Sequence, residues 1–406
     1  MVQWDNSQYF YYKEIIKDRK MPLAFVDLDA FEHNIKYIVS TQAGNGKTIR
    51  VASKSLRCVD LMKRIFELGG DAVRGIMSFT PSEARFLVEH DFDDILLAYP
   101  SVQSADMQIM VDLKKKGKKV YLMVDNIEQL KIMSDAGEQA GVVLDACLDV
   151  DMSFRPFETS LHLGVRRSPI RTPQDAVALA GQAGKLCGAR IKAFMGYEAQ
   201  IAGLQDDSPF TRAMNPAIKL IKKYSIRDVA ERRSAVVKAL EGVGITFDLV
   251  NGGGSGSLLS TGAEDVVTEV AAGSGFYCSL LFQHYRAVHF EPAAFFALQI
   301  VRKPVENMVT CHGGGYVASG SAGQDKQPQP VLPAGLATIG AEGVGEVQTP
   351  LSVPAGTPPL KLGDPVIFQH AKAGELCERF NELLLISKGE IVGTALTYRG
   401  QGRAFL

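Results

Sequence analysis

The chain has 406 residues, 44 Lys and Arg against 45 Asp and Glu for a formal net charge of −1, and 46% hydrophobic side chains. That balance excludes a general pull towards nucleic acid or anionic membrane, and no apolar run, 293–301 being the best, approaches the ~20 residues of a bilayer span. Cys58, Cys147, Cys187, Cys278, Cys311 and Cys377 form no CxxC pair, and Trp4, Asp5, Tyr9 and Lys13 stand where a signal peptide needs an unbroken apolar stretch, so the expectation is a soluble cytoplasmic protein with free thiols.

In chain order, residues 1–20 read as an aromatic-rich helical arm, docked on the C-terminal domain rather than free. Short β-rich runs bounded by polar or Gly residues then recur at 23–29, 48–53, 73–78, 94–99, 119–125, 144–150, 190–197 and 247–252. Amphipathic stretches lie between them. Residues 58–68 place Leu61, Met62, Ile65 and Leu68 on one stripe, and 81–89 opens with Pro81 at a first helical position. An open doubly wound sheet would alternate in the same way, but eight units over roughly 250 residues favour a (β/α)8 barrel across 21–288. After about Phe290 the helical pattern fades. Turn formers crowd 312–365 and short strand-like runs sit at 295–301, 365–368, 383–387 and 390–396, which predicts an antiparallel β domain over 289–406.

A barrel presents its chemistry at the C-terminal ends of its strands. Lys54 follows the apolar run 48–53, and an ammonium there must be solvated, paired or neutralised. It is either a rim lysine in an ion pair or an amine able to form a Schiff base with a carbonyl compound. Farther on, Asp149-Val150-Asp151-Met152-Ser153-Phe154-Arg155 and then Arg166 and Arg167 bring cations to a strand end, and Gly196-Tyr197-Glu198 closes another. These arginines are surface charges or a fixed cation beside a cofactor ring. The run Asn251-Gly252-Gly253-Gly254-Ser255-Gly256-Ser257 is the richest anion-binding signature in the chain, since successive glycines let several N–H groups converge and serines add donors. A second small-residue turn, Gly273-Ser274-Gly275-Phe276-Tyr277, can close over the same anion. Neither is a P-loop or a dinucleotide fingerprint.

Lysine early, arginine between and an anion loop late describe a pyridoxal 5′-phosphate site. The segments LAFVDLDAFEHNI, VASKSLRC, DVDMSFR with HLGVRR, FMGYEAQ and NGGGSGS together resemble the fold-type III pyridoxal-phosphate enzymes, whose barrel is of the alanine racemase type, over about 22–282. The resemblance implies that Lys54 carries the cofactor. It also implies that Arg155, Arg166, Tyr197, Gly253, Gly254, Ser255, Gly256, Ser257, Gly273, Ser274 and Tyr277 hold it. The C-terminal β domain points to the D-threonine aldolase / D-serine dehydratase branch, in which a His with a nearby Cys or Asp binds a divalent metal (Zn, Mn or Mg). Here the corresponding run is GDPVIFQHAKAGELC, so His370 and Cys377 are the implied ligands, with Glu375 as the spare; the family's His-x-Cys or His-x-Asp is not intact, and Leu56 stands where many relatives have a histidine. The implied function is a lyase of D-3-hydroxy amino acids, cleaving them to glycine and an aldehyde with metal assistance. Elimination of water and ammonia, or racemisation with Tyr316 or His312 as second base, are the alternatives. The resemblance further implies a homodimer with a small-molecule substrate, no nucleic acid and no membrane.

Overall fold

The computed structural model describes residues 4–156, 161–209, 211–320, 323–372 and 374–406. Helix α1 (Asn6–Ile15) starts at Asp5, whose carboxylate accepts from the Ser7 and Gln8 N–H groups while the Gln8 side chain reaches back, a capping box. Its Tyr9 and Tyr12 are buried. Tyr12 packs on Phe25 and Phe295 and donates to Asp27 Oδ2 at 2.6 Å, and Trp4 meets Phe295 edge-on.

Strand β1 (Leu23–Asp27) does not enter the barrel. It pairs antiparallel with the strand Ala294–Val305 and parallel with Glu382–Ser387, both of the C-terminal sheet. The expectation that the run 23–29 opens the barrel is therefore corrected. Four of its five residues are buried, and a short run apolar on both faces reads the same in a barrel wall and in a covered sheet.

The closed barrel consists of β2 (Thr48–Ala52), β3 (Val73–Ser78), β4 (Ile95–Leu97), β5 (Val120–Val124), β6 (Leu144–Asp149), β7 (Ala189–Gly196), β8 (Leu249–Gly252) and β9 (Glu269–Ala272), all parallel, with β9 closing onto β2. The eighth strand is thus Glu269–Ala272, a four-residue run whose leading glutamate and two alanines mask its strand character. Around the barrel lie α2 (Leu28–Ser40), α3 (Val59–Gly69), α4 (Pro81–Glu89), α5 (Ser104–Lys115), α6 (Ile127–Ala140), α7 (Pro173–Ala183), the short α8 (Ala199–Ala202) and the 28-residue α9 (Asn215–Gly242). Their starts are written in the sequence. Thr80 caps α4 ahead of Pro81, Asn126 caps α6, and Thr172 with Asp175 forms a capping box on α7.

Strand alternation fills the pore. Leu96, Tyr121, Met123, Cys147, Ala193, Met195 and Leu249 form a small cluster of their own, while residues of opposite parity face the helices. Beside this cluster the buried Arg50 guanidinium forks onto Glu269 (2.6 and 2.9 Å) and reaches Asp94 Oδ1 at 2.8 Å, and Asn251 donates to Glu269 at 2.8 Å. The bidentate pairing holds Arg50 in its charged form although burial opposes it.

Two short helices complete this part of the chain, α10 (Leu258–Gly262) between β8 and β9 and α11 (Ser274–Tyr277) after β9. The second sheet then adds β10 (Ala294–Val305), β11 (Met308–His312), β12 (Gln329–Leu332), β13 (Ala337–Thr338), β14 (Gln348–Ser352), β15 (Pro365–Gln369), β16 (Glu382–Ser387) and β17 (Glu390–Leu396). Its order is β13-β14-β11-β10-β1-β16-β17, with β15 also on β10 and β12 on β15. Apart from β1 with β16 the pairings are antiparallel.

Candidate active site

The chain leaves β2 through a single tight turn, Ser53–Ser55, which lifts Lys54 to the rim of the barrel. Its Nζ donates to the phenol oxygen of Tyr99, just past β4, at 2.7 Å. Burial pushes the Tyr99 phenol up, but the charges of Lys54, Arg167 and Lys372 and the Lys54 hydrogen bond outweigh it, so its pKa lies below the ordinary value. Arg167 stands 5.6 Å from the Tyr99 ring centroid and 5.7 Å from that of Tyr197 at the end of β7.

Opposite Lys54, the loop after β8 turns at Gly253, whose φ of +81° is the left-handed region that favours glycine. Ser255 Oγ accepts from the N–H groups of Gly273 (3.2 Å) and Gly275 (2.9 Å), stitching this loop to the turn after β9. That leaves the Ser255 hydroxyl hydrogen free to donate. The backbone N–H groups of Ser255, Gly256 and Ser274 find no acceptor among the described residues. Ser55 and Ser274 hydroxyls meet at 3.2 Å. Neutral donors gathered without an acceptor form an anion cradle. A Cβ at Gly256 would lie 2.3 Å from Tyr285 Cε1 and 2.4 Å from the Ala202 carbonyl oxygen, so only glycine lets this backbone pass.

Beneath the cradle lies Glu198. It is wholly buried, accepts from Gly253 N–H (3.2 Å), Ser257 Oγ (2.8 Å) and Thr261 Oγ1, and pairs with Arg233 of α9 at 2.7 Å. One carboxylate thus fixes both ends of the glycine loop.

These groups enclose a cavity of about 350 Å³ lined by Lys54, Tyr99, Arg167, Tyr197, Asn251, Gly253, Gly254, Ser255, Gly273, Ser274, Tyr285 and Lys372 among others. Of the residues singled out from sequence, Lys54, Tyr197, Gly253, Gly254, Ser255, Gly273 and Ser274 share it. Gly256 and Ser257 sit just behind the loop they shape. Tyr277 is buried and donates to the Leu56 carbonyl at 3.1 Å. Arg155 is turned away onto Asp151 at 2.6 Å, and Arg166 does not line the cavity. The cavity's arginine is Arg167. Tyr99, Glu198 and Lys372 were missed: Tyr99 ends a strand counted only as a strand, and Lys372 was passed over in favour of its neighbours His370 and Cys377.

A model of the alanine racemase N-terminal domain matches residues 26–280. The chain belongs to the alanine racemase N-terminal domain family. The 3-hydroxy-D-aspartate aldolase of Paracoccus denitrificans (strain Pd 1222) is 24% identical over 253 residues, 62% of this chain and 59% of that protein. The D-threonine aldolase of Arthrobacter sp is 25% identical over 299 residues, 72% of this chain and 71% of that protein. The match to the first of these spans less than two thirds of its length. Among solved structures, D-threonine aldolase from Filomicrobium marinum superimposes with a TM-score of 0.79 at 19% identity, covering 94% of this chain and 95% of the other. D-threo-3-hydroxyaspartate dehydratase from Delftia sp. HT23 gives 0.75 at 17%, covering 94% and 98%. At such identities the structural likeness is one of fold.

The family's cofactor is pyridoxal 5′-phosphate, and the cavity suits it: an amine at one end, a cradle of uncommitted N–H and hydroxyl donors at the other, and an aromatic, apolar waist between. A divalent metal fits less well. Both ring nitrogens of the buried His370 lack a properly directed partner, and burial pushes its pKa down to about 4, against a loose contact with the Ala294 backbone. That is the neutral imidazole a metal needs. Cys377 does not complete a site with it, for its sulfur lies against Tyr277 Oη at 3.9 Å. No group of three ligating side chains occurs among the described residues, and neither His370 nor Cys377 lines the cavity.

Proposed function

We propose that this protein is a pyridoxal-phosphate-dependent lyase that cleaves D-3-hydroxy amino acids to glycine and an aldehyde. The observation that carries the reading is the meeting, in one cavity, of the Lys54 amine with the anion cradle of Gly253–Ser255 and Gly273–Ser274. Two relatives named as aldolases of D-3-hydroxy amino acids support the reaction class.

Pyridoxal phosphate, when bound, supplies an aldehyde that condenses with amines and a ring that spreads negative charge from Cα. Lys54 is the amine that would hold the aldehyde carbon, and as a free amine its nitrogen would supply the proton that Cα of the glycine fragment takes up. Tyr99 orients that amine through the 2.7 Å hydrogen bond, and its lowered pKa suits it to exchange a proton with the lysine. The backbone N–H groups of Ser255, Gly256 and Ser274, which no other acceptor among the described residues takes, and the hydroxyls of Ser255 and Ser274 would hold the phosphate. Tyr197 and Arg167 line the waist of the cavity, where the arginine would be a fixed cation that disfavours protonation of a ring nitrogen beside it.

The test is incubation of the cofactor-loaded protein with D-threonine and D-3-hydroxyaspartate, with glycine and aldehyde assayed separately. Glycine in equal amount to aldehyde is the expected result. Release of ammonia and an oxo acid instead would assign elimination, and no turnover of either compound would reject the lyase reading.

A further inference from the structure

We propose that the ammonium of Lys372, rather than a divalent metal, holds the oxygen on the substrate's β-carbon, so that the protein works without a metal ion; this rests on the lyase reading above. Three lysine and arginine side chains, Lys54, Arg167 and Lys372, line the cavity, and no Asp, Glu, His or Cys among the described residues does. A dication placed there would face three positive charges and no anionic ligand, whereas its known ligands are thiolate, imidazole and carboxylate. An oxygen that carries or develops negative charge finds the opposite surroundings.

The backbone delivers Lys372 to this place. The chain leaves β15, which is wholly buried, and the carbonyls of His370 and Ala371 accept from Leu280 and Leu281 N–H, each at 3.1 Å. Leu281 itself lines the cavity, so two consecutive residues are tied to the barrel mouth just before Lys372. Just after it, Gly374 has φ +87°, and a Cβ there would lie 2.0 Å from the Lys54 carbonyl oxygen. The segment that carries one lysine therefore crosses directly over the turn that carries the other. Lys372 Nζ donates to Ser319 Oγ at 2.8 Å, and the Ser319 N–H is held by both Glu375 oxygens at 3.0 and 3.1 Å. Of the ammonium's three donors one is so engaged, which leaves two for a ligand. His370, two residues earlier, stays sealed behind the cavity wall.

The test uses the cofactor-loaded full chain. Elemental analysis should find no stoichiometric divalent metal, calorimetric titration with Mn²⁺ or Zn²⁺ should give no saturable site, and glycine formation should be unchanged after dialysis against EDTA. Lys372→Ala should keep the visible absorbance of the bound cofactor, which reports an intact site, yet lose at least about 100-fold in kcat/KM, with part of the loss recovered in Lys372→Arg. A stoichiometric ion whose removal stops turnover, or an alanine variant with wild-type kcat/KM, overturns the proposal while leaving the lyase reading intact. If the loaded wild type turns over no D-3-hydroxy amino acid, the lyase reading itself falls.

Discussion

Glu198 takes hydrogen bonds from Gly253, Ser257 and Thr261 and pairs with Arg233, all out of contact with water. Glu198→Gln keeps the shape and removes the charge, so the loop loses charge-assisted bonds worth about 2 kcal/mol. Cofactor affinity should fall by roughly 30-fold, measured by absorbance titration of the apoprotein. Lys54→Ala should abolish the visible absorbance of bound pyridoxal phosphate altogether. His370 makes a prediction of another kind. Its pKa is pushed down to about 4 by burial, whereas an unfolded histidine takes a proton near 6.5. The unfolded chain therefore binds more protons as pH falls below ~6.5, and stability, full above that value, declines until the folded pKa is reached. The loss by pH 4 is about 3 kcal/mol. Denaturant melts of both proteins at pH 7.5 and 4.5 should show it as a change in the difference between wild type and His370→Leu, since the buried Glu83 and Asp149 carboxyls, pushed up to about 7, titrate over the same range in both and with the opposite sign. Residue roles were the hardest thing to read from sequence. An arginine looks the same whether it stacks on Tyr99 and Tyr197, as Arg167 does, or pairs with Asp151, as Arg155 does. Lys54 stood out because an ammonium at the end of an apolar run demands an explanation.

At the scale of elements, the glycine-rich loop was legible because its composition is its mechanism: Gly253 needs its φ of +81° and Gly256 must pass Tyr285 and Ala202. Gly256→Ala places a Cβ against a backbone carbonyl, which has no rotamer to yield, so the loop must move. Cofactor affinity should fall at least about tenfold while far-ultraviolet circular dichroism stays unchanged. Barrel strands were equally legible, the run 73–78 matching Val73–Ser78 residue for residue. The two misreadings share one cause, that strand pairing is settled by distant partners. Leu23–Asp27 has the composition of a barrel strand but meets Ala294–Ala297 and Leu384–Ile386. Glu269–Ala272 has a glutamate in its first position yet belongs inside, where Glu269 meets Arg50. Local patterning does not record that an ion pair will be satisfied 219 residues away in sequence.

Over the whole molecule the same hydrophobic cluster runs from Tyr9 in α1 through the barrel walls to Tyr398 beyond β17. The second sheet takes β1 from before the barrel and everything else from after it. Such an arrangement leaves few places to separate one part from another, and calorimetry should show a single cooperative transition. Deletion of residues 1–16 removes the buried Tyr9, Tyr12 and Ile16 side chains, at ~1.5–3 kcal/mol for each large apolar group, and should lower that transition markedly.

The backbone N–H of Tyr398 donates to the Arg57 carbonyl, Thr397 bridges Cys58, and the Tyr398 phenol reaches Glu83, a partner 315 positions earlier. These contacts brace the segment immediately behind Lys54. A ribosome makes residue 54 well before residue 398, so until the later segment is made the lysine-bearing segment has no backing. Firm capture of vitamin B6 should therefore wait until the segment around Tyr398 has emerged and folded back on the one around Lys54.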